Sequence, residues 1–153
     1  MARRTLVLDA SVGVKWFSAK DEDSLPRALD IRDRHVAGDI HIMVPDLFYY
    51  EVINALVHKR HIPSEAIQQV IADLFDLGLG AFPVGNAALA SSALIARQFT
   101  ITVYDACYVA LARENACPLV TANPRHQRRD LGCQVVPIEE WQMGLVGGDS
   151  PLV

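Results

Sequence analysis

At 153 residues the chain has the size of one globular domain, since domains typically run to roughly 100–200 residues. A composition that is 51% hydrophobic and 21% charged excludes an intrinsically disordered chain. Fourteen Lys and Arg against 18 Asp and Glu leave a formal net charge of −4, which excludes a coat of nucleic acid by bulk electrostatics and leaves room for a local basic patch.

Thr5–Leu8 is a short apolar, β-branched run that ends at an acid, the pattern of a buried parallel strand delivering a side chain at its C-terminal end. The run is too short for a secretion signal, and Ser11 is a candidate cap for the helix that follows. A helix over Asp23–Val36 leads to a second strand, His41–Val44, closed by Pro45. Asp46–Arg60 then reads as a helix that is apolar around most of its circumference and therefore largely buried. Pro63 opens a further helix to about Leu77, Ala81–Val84 is a strand, and a helix runs from Asn86 through Arg97. The uncharged stretch Leu77–Ala96 is interrupted by Gly78, Gly80, Pro83 and Gly85, so no membrane span is expected. A helix over Val103–Asn115, a strand over Pro118–Thr121 and a last strand over Gln134–Pro137 complete the pattern. Short apolar strands alternating with helices predict an α/β domain with a mostly parallel sheet over residues 1–143, followed by a frayed tail at 144–153. Cys107, Cys117 and Cys133 are odd in number and lack close C-x-x-C pairing, which fits free core thiols in a reducing, cytoplasmic setting.

Four positions carry the chemistry. Asp9 stands where the first strand ends, and ligands of open parallel sheets bind beyond the carboxyl ends of the strands; taken alone it reads equally well as a helix cap. Glu51 lies inside the most apolar helix of the chain, where a carboxylate needs a cation or another partner. Asn54 and His58 follow at helical spacing, so a solvent-facing polar stripe is the other reading. Asp105 begins another apolar helix, where it also suits the helix dipole. Asn123 follows the strand ending at Thr121 and is otherwise a turn residue before Pro124. Jointly, three carboxylates and an amide at such positions point to a hard-oxygen site for Mg²⁺ or Mn²⁺, suited to phosphodiester hydrolysis by metal-activated water. Directly beyond lie Arg125, His126, Arg128 and Arg129, a basic turn or a grip for RNA phosphates. Lys15, Lys59 and Arg60 are weaker candidates for that role.

LVLDAS with Asp9, PDLFYYEVINAL with Glu51 and Asn54, TVYDACYVALA with Asp105, and LVTAN with Thr121 and Asn123 resemble, in order, the motifs of PIN-domain ribonucleases. They look most like those of VapC-type toxins of toxin–antitoxin pairs. The resemblance spans roughly Thr5 to Trp141. It implies a three-layer α/β/α sandwich around a parallel, five-stranded sheet, with Asp9, Glu51 and Asp105 as catalytic metal ligands. It further implies an RNA substrate, a cognate antitoxin and a homodimer, with Trp16, Phe17, Tyr49 and Tyr50 divided between core, dimer face and antitoxin groove. Asn123 stands where the family commonly has an acid. An amide oxygen still coordinates a metal but brings no charge, which favours one metal over two and keeps open a PIN-like module that binds RNA or protein without cleaving.

Overall fold

The first apolar run forms β1 (Arg4–Leu8), from which the chain turns at Asp9 directly into α1 (Ala10–Gly13). A 3-10 turn and α2 (Leu25–Ala37) return it to β2 (Ile40–Pro45), and α3 (Leu47–Val57) and α4 (Ser64–Asp76) lead on to β3 (Gly80–Phe82). Then α5 (Asn86–Phe99) and α6 (Val103–Glu114) cross back to β4 (Leu119–Thr121), and β5 (Val135–Pro137) closes the sheet. This computed structural model describes residues 3–143 apart from 19, 21–22 and 127–129; the expected tail at 144–153 lies outside the described residues.

All five strands are parallel, in the order β3-β2-β1-β4-β5. Right-handed crossovers running first toward β3 and then back to β4 place α1–α4 on one face and α5–α6 on the other, giving the three-layer α/β/α sandwich. Leu6, Val7, Leu8, Ile42, Val44, Leu119 and Val120 are all buried, as a sheet covered on both faces requires.

Two local features hold the layers. α2 ends at Gly38, whose φ of 89° lets its N–H turn back onto the carbonyls of Arg34 and His35. Buried His35 accepts the Ile42 N–H at Nδ1 (3.2 Å), so its proton sits on Nε2 and donates to the Leu77 carbonyl (3.0 Å). One imidazole thus ties α2 to β2 and to the end of α4.

The helix expected to be largely buried is not. In α3 only Phe48, Val52 and Leu56 are buried, while Tyr50 is 78% and Val57 51% exposed. The apolar residues between the i, i+4, i+8 row and the polar side face a groove, so the wide hydrophobic arc covers core on one flank and an open surface on the other. The predicted cap at Ser11 also moves: Asp9 is the N-cap of α1, accepting the Ser11 N–H (3.2 Å), and Ser11 stands inside the first turn.

Candidate functional site

The strand order reverses between β1 and β4, and the carboxyl ends of those strands open the crevice where a doubly wound sheet takes its ligands. Asp9 stands at that point, 4% exposed, its own N–H donating to the Val120 carbonyl across the gap (3.0 Å). Its Oδ2 accepts from the Ser11 N–H, from the Ser11 hydroxyl in a short hydrogen bond, and from the Thr121 hydroxyl (3.3 Å). Ser11 Oγ in turn accepts the Ala122 N–H (2.9 Å), and Thr121 Oγ1 accepts the Asn123 N–H (2.9 Å). Asp9 is therefore both the helix cap and the centre of the strand-end network. Ser11 and Thr121, the supporting residues read from the sequence, are the hydroxyls that orient it.

Glu51 comes from the middle of α3, and its Oε1 accepts a 2.7 Å hydrogen bond from the phenol of Tyr108 on α6. Tyr108 is fully buried, and its oxygen also takes the backbone N–H of Ala10, a first-turn amide of α1 with no partner inside the helix. Burial, then the charges of Asp9 and Glu51, push the phenol far above its ordinary range, so Tyr108 stays a neutral donor between two acids. Asp105 lies one turn before Tyr108 in α6 and on the same side; it is 6% exposed, its N–H capped by the Thr102 hydroxyl (3.0 Å). α6 thus carries Asp105 and Tyr108 to the strand ends together. Tyr108 escapes a sequence reading that looks only for charged ligands, although a lone tyrosine in the small-residue run DACYVALA signals a buried hydroxyl in need of a partner.

Asn123 is placed differently from the acids. Its side-chain oxygen accepts the Arg125 N–H (3.1 Å) and the Arg125 Nε–H (3.3 Å), the geometry of a turn residue holding the 3-10 turn Pro124–His126. Arg125 is exposed beside the strand ends, and Arg128 and Arg129 lie outside the described residues. Lys15 is 8% exposed and buried in the 3-10 turn after α1, which takes it out of any surface grip on RNA.

Beside Glu51 runs an open groove of about 990 Å³ between α3 and α4, lined by Tyr49, Tyr50, Asn54, Val57 and Phe75 among others. Tyr49 stacks on Phe75 with centroids 4.5 Å apart and planes 6° from parallel, which stiffens one wall. A second, apolar groove lies between α5 and α6, where Phe82, Val84, Leu89 and Val103 are 37–61% exposed. Of the aromatic residues weighed from the sequence, Trp16 is core, Phe17 and Tyr49 are half-buried, and Tyr50 faces outward.

Among the described residues, no three of His, Cys, Asp and Glu stand close enough to enclose a metal ion by themselves. Asp9 and Asp105 are buried and Glu51 lines the α3–α4 groove, and all three offer only oxygens. That fits Mg²⁺ or Mn²⁺: Mg²⁺ keeps several of its waters and is held through one or two carboxylates plus substrate phosphate, not by an all-protein cage.

Residues 6–131 match the family model described as the PIN domain. The chain belongs to the PIN domain family. Solved structures that share the fold of this PIN domain include a toxin–antitoxin complex from Klebsiella pneumoniae (TM-score 0.62, 14% identity, covering 87% of this chain and 97% of that one). Another is VapBC2 from Rickettsia felis bound to a DNA fragment from its promoter (TM-score 0.61, 16% identity, 87% and 98% covered). A third is DNA-bound VapBC from Salmonella typhimurium (TM-score 0.62, 12% identity, 88% and 98% covered). No curated protein matches the sequence. Among the described residues no helix is long and apolar enough to cross a membrane.

Proposed function

We propose that this PIN domain is a metal-dependent endoribonuclease, the toxin of a toxin–antitoxin pair, with Asp9, Glu51 and Asp105 holding Mg²⁺ or Mn²⁺. The observation that carries the reading is the link at the strand ends: Tyr108 joins Glu51 to the first turn of α1 beside Asp9, and Asp105 stands one turn away on the same helix. When bound, the metal supplies activation of water and neutralisation of the charge that builds on the phosphate. The chain's part is orientation. Ser11 and Thr121 hold the Asp9 carboxylate, Tyr108 holds that of Glu51, and the Thr102 cap fixes the first turn that carries Asp105. Arg125, together with His126, Arg128 and Arg129, is the candidate grip on RNA phosphates flanking the scissile bond.

The partners follow from the same surfaces. Glu51 and Asn54 line the α3–α4 groove, so an antitoxin segment seated there would cover the site. The apolar α5–α6 groove supports a homodimer, which light scattering on the purified chain would test.

Cleavage of a pool of folded RNAs with Mg²⁺ or Mn²⁺, lost with chelator and in an Asp9→Asn, Asp105→Asn double variant, is the expected outcome; retained cleavage by the double variant refutes the reading. A second reading, a PIN module that binds RNA or protein without cutting, is favoured by one observation, the commitment of the Asn123 oxygen to Arg125. If wild type is inert and Asn123→Asp cleaves, the binder is the natural protein. If wild type cleaves, Asn123 in place of an acid is a change that the nuclease tolerates.

A further inference from the structure

Cys117 and Cys133 are free thiols that lie far apart in the chain, and neither belongs to the site of the acids. The fold sets them at the amino ends of the neighbouring strands β4 and β5, the opposite end of β4 from Thr121 and Asn123. Leu119 pairs with Val135 in parallel register, and just below that pair the Leu119 N–H donates to the Gln134 carbonyl at 2.8 Å. Continued two residues back, on the same face of the sheet, the register sets Cys117 opposite Cys133. The last turn of α6 fixes both approaches. The Cys117 N–H donates to the Ala112 carbonyl (3.1 Å), and Arg113 Nε donates to the Leu131 carbonyl (2.6 Å) with its guanidinium laid against Gly132. Each chain enters its strand through a left-handed residue, Ala116 at φ 47° and Gly132 at φ 78°.

We propose that Cys117 and Cys133 form a reversible disulfide when the protein meets hydrogen peroxide, stapling β4 to β5. Neighbouring strands lie about 4.8 Å apart, within the Cα separations of roughly 4.4–6.8 Å that a disulfide spans. Cys133 reacts first, being half-buried where Cys117 is buried. Burial pushes both thiols up, but at Cys133 the Arg113 guanidinium opposes that shift, while Cys117 beside it adds to it. The Cys133 sulfur takes one oxygen from peroxide, which leaves a sulfenic acid and releases one water. The Cys117 sulfur then attacks the Cys133 sulfur; the S–S bond forms, the S–O bond breaks and a second water leaves. The two thiols give up two electrons and the peroxide takes them. The staple closes a loop that contains Thr121, a hydrogen-bond partner of Asp9, and the turn in which Asn123 holds Arg125. Oxidation thus ties down the base of that segment without touching an acid, and the proposal stands whether or not the domain cuts RNA.

The test is treatment of the purified full chain with hydrogen peroxide, alkylation of the remaining thiols and peptide mapping with and without a thiol reductant. The expected result is one bridge, joining the peptides that carry Cys117 and Cys133, with Cys107 still alkylated. Tm should rise by roughly 6–12 °C, as for a bridge closing a loop of this length in a domain of this size, and fall back on reduction. Cys133→Ser should show neither the bridge nor the rise, and Cys107→Ser should show both. Alkylation of both Cys117 and Cys133 after peroxide, or a bridge through Cys107 or between chains, overturns the pairing. A bridged protein no more stable than the reduced one overturns the staple. Mapping is done on wild type, so the pairing is decided even if a variant does not fold.

Discussion

Replacing Gly13 with Ala is expected to loosen the joint between the helix that starts at Asp9 and the helix that carries Glu51. A methyl group built at Gly13 would stand 2.5 Å from Phe48 Cζ, 3.0 Å from Cε2 and 3.2 Å from Val52 Cγ2, well inside normal contact. Phe48 cannot retreat cheaply, since it is fully buried and packed against Trp16 at 6.3 Å and edge-on to Tyr49 at 5.8 Å. Overpacking of this kind costs about 1–3 kcal/mol. Alanine returns at most about 1 kcal/mol over glycine in a helix, less at this final position of a short one. The net loss is about 1–2 kcal/mol, or a fall in Tm of roughly 2–8 °C for a domain of this size. Urea denaturation of Gly13→Ala, Phe48→Leu and the double variant separates the contact from general damage, because a shared clash makes the two changes non-additive. The double variant should recover part of the Gly13→Ala loss. A Gly13→Ala protein as stable as wild type, or strict additivity in the double variant, would refute the argument that this glycine sets the α1–α3 distance.

Asp9 separates capping from site chemistry by two substitutions. Asn caps a helix as well as Asp, so Asp9→Asn should abolish cleavage with stability nearly unchanged, while Asp9→Ala loses the cap as well and about 0.5–2 kcal/mol, readable by denaturation. Stability should also fall as pH drops through the imidazole range. His41 is lowered from 6.5 by burial first, then by His35 and Arg3, so the unfolded chain binds a proton there before the folded one does. The penalty begins near the unfolded value and is complete below the folded one. His41→Gln should flatten the Tm against pH curve between pH 7 and 5, and a profile parallel to wild type would count against His41 as its source.

Periodicity and chain punctuation made the architecture legible: all five strands and the five longer helices stand where the apolar runs, Pro45, Pro63 and the strand-end acids place them. α3 is less buried than its sequence implies because hydrophobicity reports which residues can be covered, not what covers them. Val57 and Tyr50 line grooves, and no pattern within the helix distinguishes a groove from a core. Asn123 shows the same limit in polar form. Its two readings, ligand and turn residue, look alike in sequence, and only the fold shows that its side-chain oxygen accepts from Arg125 two residues on. Tyr108 is illegible for a different reason, as its partners Glu51 and Ala10 lie 57 and 98 positions away and only the fold brings them together.

α3 joins core, site and outer surface in eleven residues. Phe48, Val52 and Leu56 anchor one row, Glu51 reaches Tyr108 between rows, and Tyr50, Asn54 and Val57 face the groove. Because neighbouring rows of one helix move as a rigid unit, whatever fills the groove and tilts α3 must also move the Glu51 carboxylate against a phenol fixed to α6. A 2.7 Å hydrogen bond tolerates little such motion. A groove ligand would therefore act on the acid through its geometry as well as by covering it. A segment bound in the α3–α4 groove should then weaken Mn²⁺ binding even where it leaves the strand ends uncovered, whereas a segment that only blocks access would leave the affinity of the site for the bare ion unchanged.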